Sequence, residues 1–154
     1  EGLNLSYTLL PTHLKRSYNY STYMVGKWHL GMKSPGYLPA HRGFDKFFGY
    51  YSGIMDYWTH GMGGPSPQSG GLDLHEGGAD FRQGSWPPGT VDEPVYNTTG
   101  DYSTFMFARR ASAWIGQHGQ ERPEQPMFMY FAFQGCHSGD NSFVQAPDAY
   151  IRRF

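Results

Sequence analysis

Cysteine is almost absent from this chain of 154 residues, where Cys136 is the only one. An internal disulfide and a multi-cysteine zinc site are thereby excluded. Charge is sparse as well. Asp, Glu, Lys and Arg make up 16% of the residues and sum to −1, so nothing predicts a general affinity for nucleic acid or for an anionic membrane surface. No apolar run reaches the roughly 18 residues that mark a membrane-spanning helix. The first residue is Glu1 rather than Met and no signal peptide is visible, so a processed product, an excised piece or a partial sequence is expected. What the chain does have is 38% hydrophobic and 18% aromatic residues, enough for a core, with 21 Gly and 11 Pro that imply many loops. Its length suits one domain or part of a larger one.

Three N-x-[ST] triplets occur, at Asn4, Asn19 and Asn97. Each is a potential glycosylation acceptor, although an unmodified polar loop residue is the commoner meaning of such a triplet. Together they lean toward a secretory route.

Periodicity and punctuation give the elements. Residues 9–18, "LLPTHLKRSY", read as a helix with Pro11 in the first turn, Lys15 and Arg16 toward the C-terminal end, and Leu10 and Leu14 facing a core. Residues 21–26, "STYMVG", read as a buried strand. Residues 34–58 are aromatic but broken by Gly and Pro, and read as a structured connection without a clean period. Residues 60–89 are rich in Gly, Ser and Pro and read as a long surface loop or insertion. Residues 101–118 form the best helix, with Asp101 or Ser103 as cap and Phe105, Ala108, Ser112 and Ile115 on one stripe. The continuous apolar run "MFMYFAF" at 127–133 suits a central strand buried on both faces. Helix, strand, long excursion, helix, strand predicts an α/β fold with a mainly parallel sheet.

In such sheets ligands bind beyond the carboxyl ends of the strands. Lys27 and His29 follow the first strand, in "GKWHLG", and His137 follows the second, in "FQGCHSG". One cation and two imidazoles are thus sent toward one sheet edge. Lysine is a compact charge for an anionic oxygen, and histidine can move a proton near neutral pH. The set suits a tetrahedral sulfate or phosphate ester. Each residue alone reads more simply as a solvated lysine, a loop histidine or, for Trp28, a packing indole.

"GKWHLG", followed about a dozen residues later by "RGFD", resembles the second signature of the sulfatase family. The similarity continues through "LPAHRGFDKFFGYYSG", "DYWTH", "DYSTFMFARRASAWIGQH", "PMFMYFAFQGCHS" and "QAPDAY", in an order that looks like the arylsulfatase B branch, which cleaves 4-sulfate from N-acetylgalactosamine in glycosaminoglycans. The resemblance implies an alkaline-phosphatase-like α/β fold, incomplete in this chain, with residues 1–154 forming part of the N-terminal catalytic domain. It implies a sulfuric ester hydrolase acting on a sulfated glycan or small sulfate ester, and a lysosomal or secreted glycoprotein. By resemblance, Lys27 contacts the sulfate. His29 is the histidine that hydrogen-bonds a formylglycine hydroxyl and helps expel sulfate from the covalent intermediate. His137 lies near the bridging ester oxygen, where it helps bind sulfate and protonates the leaving group.

The departures from the family pattern are equally specific. The formylglycine precursor lies in a C-x-P-S-R motif that this chain lacks, and Cys136 in "GCHSG" has neither the proline nor the arginine. It is expected to be a buried or semi-buried thiol. Neither acidic pair of the family's calcium site has a counterpart, so both the calcium and the formylglycine belong to the parent enzyme, and the segment alone is expected to be inactive. Asp45 of "RGFD" is expected to be structural, pairing with Arg42 or a backbone group. His41, His60, His75 and His118 match no catalytic role, although His60 could border substrate. A phosphoric or phosphonic ester hydrolase of the same superfamily, or a non-catalytic glycan-binding derivative, are the alternatives.

Overall fold

The computed structural model describes residues 2–62, 70–79, 90–139 and 144–153. Helix α1 (Leu10–Tyr18) leads into β1 (Ser21–Lys27). Two short 3₁₀ turns, Pro35–Tyr37 and Pro39–Arg42, precede β2 (Lys46–Tyr50). Strands β3 (Leu74–Ala79) and β4 (Thr90–Pro94) follow, then helix α2 (Ser103–Glu121), β5 (Met127–Ala132) and the short helix α3 (Asp148–Ile151). The strands form one sheet in the order β4-β3-β2-β1-β5. β1 runs parallel to both β2 and β5, whereas β3 is antiparallel to β2 and β4 to β3. The sheet is therefore mixed rather than mainly parallel. The α/β class holds, with helices packed on the sheet.

β1 lies between β2 and β5 and is buried along nearly its whole length. Its side chains alternate between two cores, as the pleat requires. Tyr23 and Val25 join Phe48 and Tyr50 of β2 under Met106, Phe107, Ala111 and Trp114 of α2. Met24 points the other way, into a cluster with Trp28, Leu38, Phe44, Phe47 and Tyr51. Phe107 meets Phe48 edge-on at 5.9 Å and stacks on Tyr50 at 6.3 Å. Burial of such rings is the main stabilising term, and truncating one to alanine typically costs about 3–5 kcal/mol.

Several expectations are corrected. β5 is the outer strand of the described sheet, with Tyr130 49% exposed, rather than a central strand buried on both faces. The buried stripe of α2 is Phe107, Ala111, Trp114 and His118, one register away from the expected one. Phe105 and Ile115 are exposed. Both stripes satisfy the helical period, and the sheet takes the bulkier rings. The N-cap of α2 is Tyr102, without a side-chain cap. Ser103 instead turns its hydroxyl to Gln134, and Asp101 pairs with Arg109. In α1 the residue facing the core is Pro11, while Leu10 is exposed. The connection over 34–58 contains β2, and the Gly-rich stretch contains β3, whose pairing rests on backbone hydrogen bonds rather than on a side-chain pattern. Of that stretch, residues 63–69 and 80–89 lie outside the described residues. Among the described residues no helix is long and apolar enough to cross a membrane.

Candidate functional site

The register of the three parallel strands positions the site. Gly26 lies opposite Ala132 of β5 on one side and Gly49 of β2 on the other, so all three chains leave the sheet at the same level. Gly26 has φ +102°, and a Cβ there would lie 1.9 Å from the Ala132 carbonyl oxygen. Only glycine allows this conformation and this approach. Lys27 follows, half-buried. The next two amides continue along the exit of β2, Trp28 N–H to Tyr50 O at 2.9 Å and His29 N–H to Tyr51 O at 3.2 Å.

Trp28 turns inward, as expected. It is buried, its Nε1–H is shared between Gly31 O and Tyr37 O, and it meets Phe44 edge-on at 6.2 Å. His29 takes a left-handed φ of +49°. Its imidazole is exposed and lies against Gly53, where a Cβ would come within 2.8 Å of Cε1 and Nε2. The turn beneath is held by buried Asp73, which accepts from the amides of Tyr51 and Ser52 at 3.1 and 3.0 Å and from the Ser52 hydroxyl. Among the described residues neither the Lys27 ammonium nor the His29 ring has a hydrogen bond or ion pair. Both are available to an outside anion.

His137 sits on the loop that follows β5. It is exposed, with Nδ1 3.0 Å from the Ser138 carbonyl oxygen. A carbonyl can only accept, so in this contact Nδ1 carries the proton, with the Ser138 hydroxyl 3.4 Å from the same nitrogen. The loop is braced from beneath. The one Tyr57 O–H proton is shared between Gln134 O at 2.7 Å and His137 O at 2.9 Å. Buried Gln134 accepts from the Ser103 hydroxyl at 2.6 Å and donates to Met55 O. Gln145 bridges Tyr57 N–H and the Asp56 carboxylate at 2.8 and 2.6 Å. Burial alone would push the Asp56 carboxyl up. Hydrogen bonds from Gln145, Thr59 and Trp58 outweigh it and bring the pKa down to about 2. Tyr57, Gln134, Gln145, Asp56 and Asp73 were not singled out from the sequence. Asp56 alone carried a local signal, an acid followed by a hydroxyl residue three positions on, in "DYWT".

His60 and His118 are held by structural hydrogen bonds. His60 is fully buried. Its Nε2–H donates to Asp101 O and its Nδ1 accepts from Thr98, both at 2.9 Å, so it does not border a cleft. His118 donates from Nε2 to Gln125 O and accepts from Tyr23 at the far end of the strands. Asp45 accepts from the Thr22 amide at 2.9 Å and pairs with Lys15 at 2.6 Å. Arg42 instead donates to the carbonyls of Asn4 and Tyr7. Cys136 is exposed, with φ +72°, contrary to the expectation of a buried thiol. The turn that lifts His137 out of the sheet lifts its neighbour with it. Asn4, Asn19 and Asn97 are all exposed. Asn19 is also the left-handed C-cap of α1, and the serine of its triplet, Ser21, is buried in β1.

A divalent metal and a formylglycine do not fit the residues present. Among the described residues no three His, Cys, Asp or Glu side chains are grouped to hold a metal. Cys136 lacks the flanking proline and arginine. No chemical step is derived through either group.

The sulfatase family model matches residues 1–154. Arylsulfatase J of Mus musculus is 38% identical over 153 residues, 99% of this chain and 22% of that protein. The arylsulfatase of Klebsiella aerogenes is 30% identical over 145 residues, covering 88% of this chain and 24% of that protein. The crystal structure of Ps i-CgsB in complex with k-i-k-neocarrahexaose superposes with a TM-score of 0.72 at 22% identity, over 100% of this chain and 31% of that one. The chain thus spans less than a third of the length of these relatives.

Proposed function

Because the chain belongs to the sulfatase family, we propose that the full-length protein hydrolyses a sulfuric ester and that Lys27, His29 and His137 are the part of its active site carried here. The observation that carries this reading is the alignment of Gly26 with Ala132 on adjacent parallel strands, which sends all three residues off the same sheet edge. Lys27 supplies a charge-assisted contact to a sulfate oxygen, strongest as negative charge grows on the transferring group. His137, with Nδ1 occupied by Ser138 O, delivers a proton from Nε2 to the departing ester oxygen. His29 holds or moves a proton on the other side of the transferring group. A formylglycine nucleophile and a calcium ion belong to this reading as contributions of other residues, and for that reason the 154 residues alone do not turn over substrate.

A sulfated sugar is the proposed substrate class, in line with the saccharide bound in the neighbouring structure and with the motif order that resembles the N-acetylgalactosamine-4-sulfatase branch. A small aryl sulfate serves as surrogate. A lysosomal or secreted location, with glycosylation at Asn97 and at Asn4 and Asn19 where processing permits, completes the proposal. The test is the full-length protein with matched aryl sulfate and aryl phosphate esters. Sulfate should be preferred, and Lys27→Ala should lower kcat/KM by about two decades, the scale of ~3 kcal/mol of transition-state stabilisation. Preferential phosphate hydrolysis, or an unchanged kcat/KM in Lys27→Ala, overturns it.

A further inference from the structure

We propose that Tyr57 is the positioning residue of His137, an inference that rests on the reading of His137 as the proton donor to the ester oxygen. The Tyr57 side chain is almost completely buried. Its single hydroxyl reaches two carbonyl oxygens on one short loop, Gln134 O at 2.7 Å and His137 O at 2.9 Å. Those are the two ends of the turn that carries the imidazole, since the His137 amide also closes back on Gln134 O at 3.1 Å. Gln134 O therefore keeps a donor if the hydroxyl is lost. His137 O has no other donor among the described residues. This carbonyl is bonded to the Cα that bears the ring, so its direction sets where the imidazole points.

Tyr57 is itself held on three sides. Its amide donates to Gln145 Oε1 at 2.8 Å. Its ring stacks on Tyr102 at 5.4 Å and 16°. The neighbouring Asp56 carboxylate closes the turn through the amides of Trp58 and Thr59. Burial pushes the phenol pKa up, so the hydroxyl remains a donor across the working range. A rigid donor under a solvent-facing loop is what holds a catalytic group within the fraction of an ångström that chemistry demands.

The experiment is a double-mutant cycle in the full-length enzyme with a series of aryl sulfates of graded leaving-group pKa. Tyr57→Phe should lower kcat/KM roughly 10–100-fold for poor leaving groups, the cost of an ångström-scale misplacement. It should cost less for good ones and so steepen the leaving-group dependence toward that of His137→Ala. In the His137→Ala background it should have no further effect, because the residue acts only through that ring. Tyr23→Phe removes another buried tyrosine contact, to His118 at the opposite end of the strands, and should leave the leaving-group dependence as in wild type. Ser103→Ala loosens the same loop through Gln134 and should give a smaller change of the same kind. It stands in if Tyr57→Phe does not fold. Additive effects with His137→Ala, or an unchanged leaving-group dependence, overturn the positioning role. If His137→Ala itself shows no leaving-group dependence, the proposed role of His137 falls instead, and the two failures are distinguishable.

Discussion

Substituting Gly26 by alanine should damage the site more than the fold. The left-handed φ of +102° carries a cost of the order of 1–3 kcal/mol for a residue with a side chain. The steric term adds to it. The new Cβ would lie 1.9 Å from Ala132 O, and real Cβ contacts essentially never fall under 3.0 Å, so the exits of β1 and β5 must part by at least about 1 Å. Both neighbours are paired strands, and the displacement is passed on to Lys27 on one side and to the His137 loop on the other. A shift of that size at a reacting centre is worth about a hundredfold. Gly26→Ala should therefore lower kcat/KM by about two decades in the full-length enzyme, while urea denaturation reports a loss of a few kcal/mol. Gly71→Ala is the control. It has a comparable positive φ of +79°, but its Cβ would meet nothing within 4 Å. It should cost stability alone. Wild-type kcat/KM in Gly26→Ala would refute the argument that the register of these two exits builds the site.

Gly53→Ala places a Cβ 2.8 Å from the His29 ring and should lower kcat by displacing the imidazole, with the fold intact by circular dichroism. Asp56→Asn should destabilise the protein at neutral pH, because the hydrogen bonds from Gln145, Thr59 and Trp58 that bring the carboxyl from 3.8 down to about 2 favour its charged form. The folded-state pKa lies below the unfolded one. The stabilisation is thus complete above pH 3.8 and lost as pH falls through about 2, and denaturation at pH 7 and near pH 2 should show the gap between wild type and variant closing. Cys136 is exposed and should react with a thiol reagent in the folded protein. The adduct beside His137 should depress activity, and labelling that requires denaturant would contradict the placement of this loop.

Strand β1 was legible because a β-rich run ends at a glycine, and the structure returns it within one residue of the expected span. Helix α2 was legible as a helix but not in its orientation, since Phe105, Ala108, Ser112 and Ile115 repeat as well as Phe107, Ala111, Trp114 and His118. Only the aromatic surface of β1 and β2 distinguishes the two stripes. β5 reads as apolar throughout, and a composition of that kind does not say whether a strand is central or outermost in the described sheet. β2 was hidden by its length and by Gly49. β3 was hidden because "LHEGGA" has no alternation to detect. Lys27, His29 and His137 are proposed as site residues because two strand exits and a specific motif point to them. Tyr57, Gln134 and Gln145 carry no such signal, because their partners lie far along the chain. Tyr57 binds residues 77 and 80 positions away, and Gln145 reaches Asp56 across 89. Contacts of that range become visible only when the strands are in register.

The most direct measurement is a crystal structure of the full-length protein with a sulfate ester or inorganic sulfate in the site. The Lys27 ammonium and the Nε2 atoms of His29 and His137 should converge on one tetrahedral anion beyond Gly26 and Ala132, with Lys27 and His137 in hydrogen-bond contact with its oxygens. A sulfate bound by other residues, with the His137 ring turned away from the anion that Lys27 holds, would contradict that arrangement.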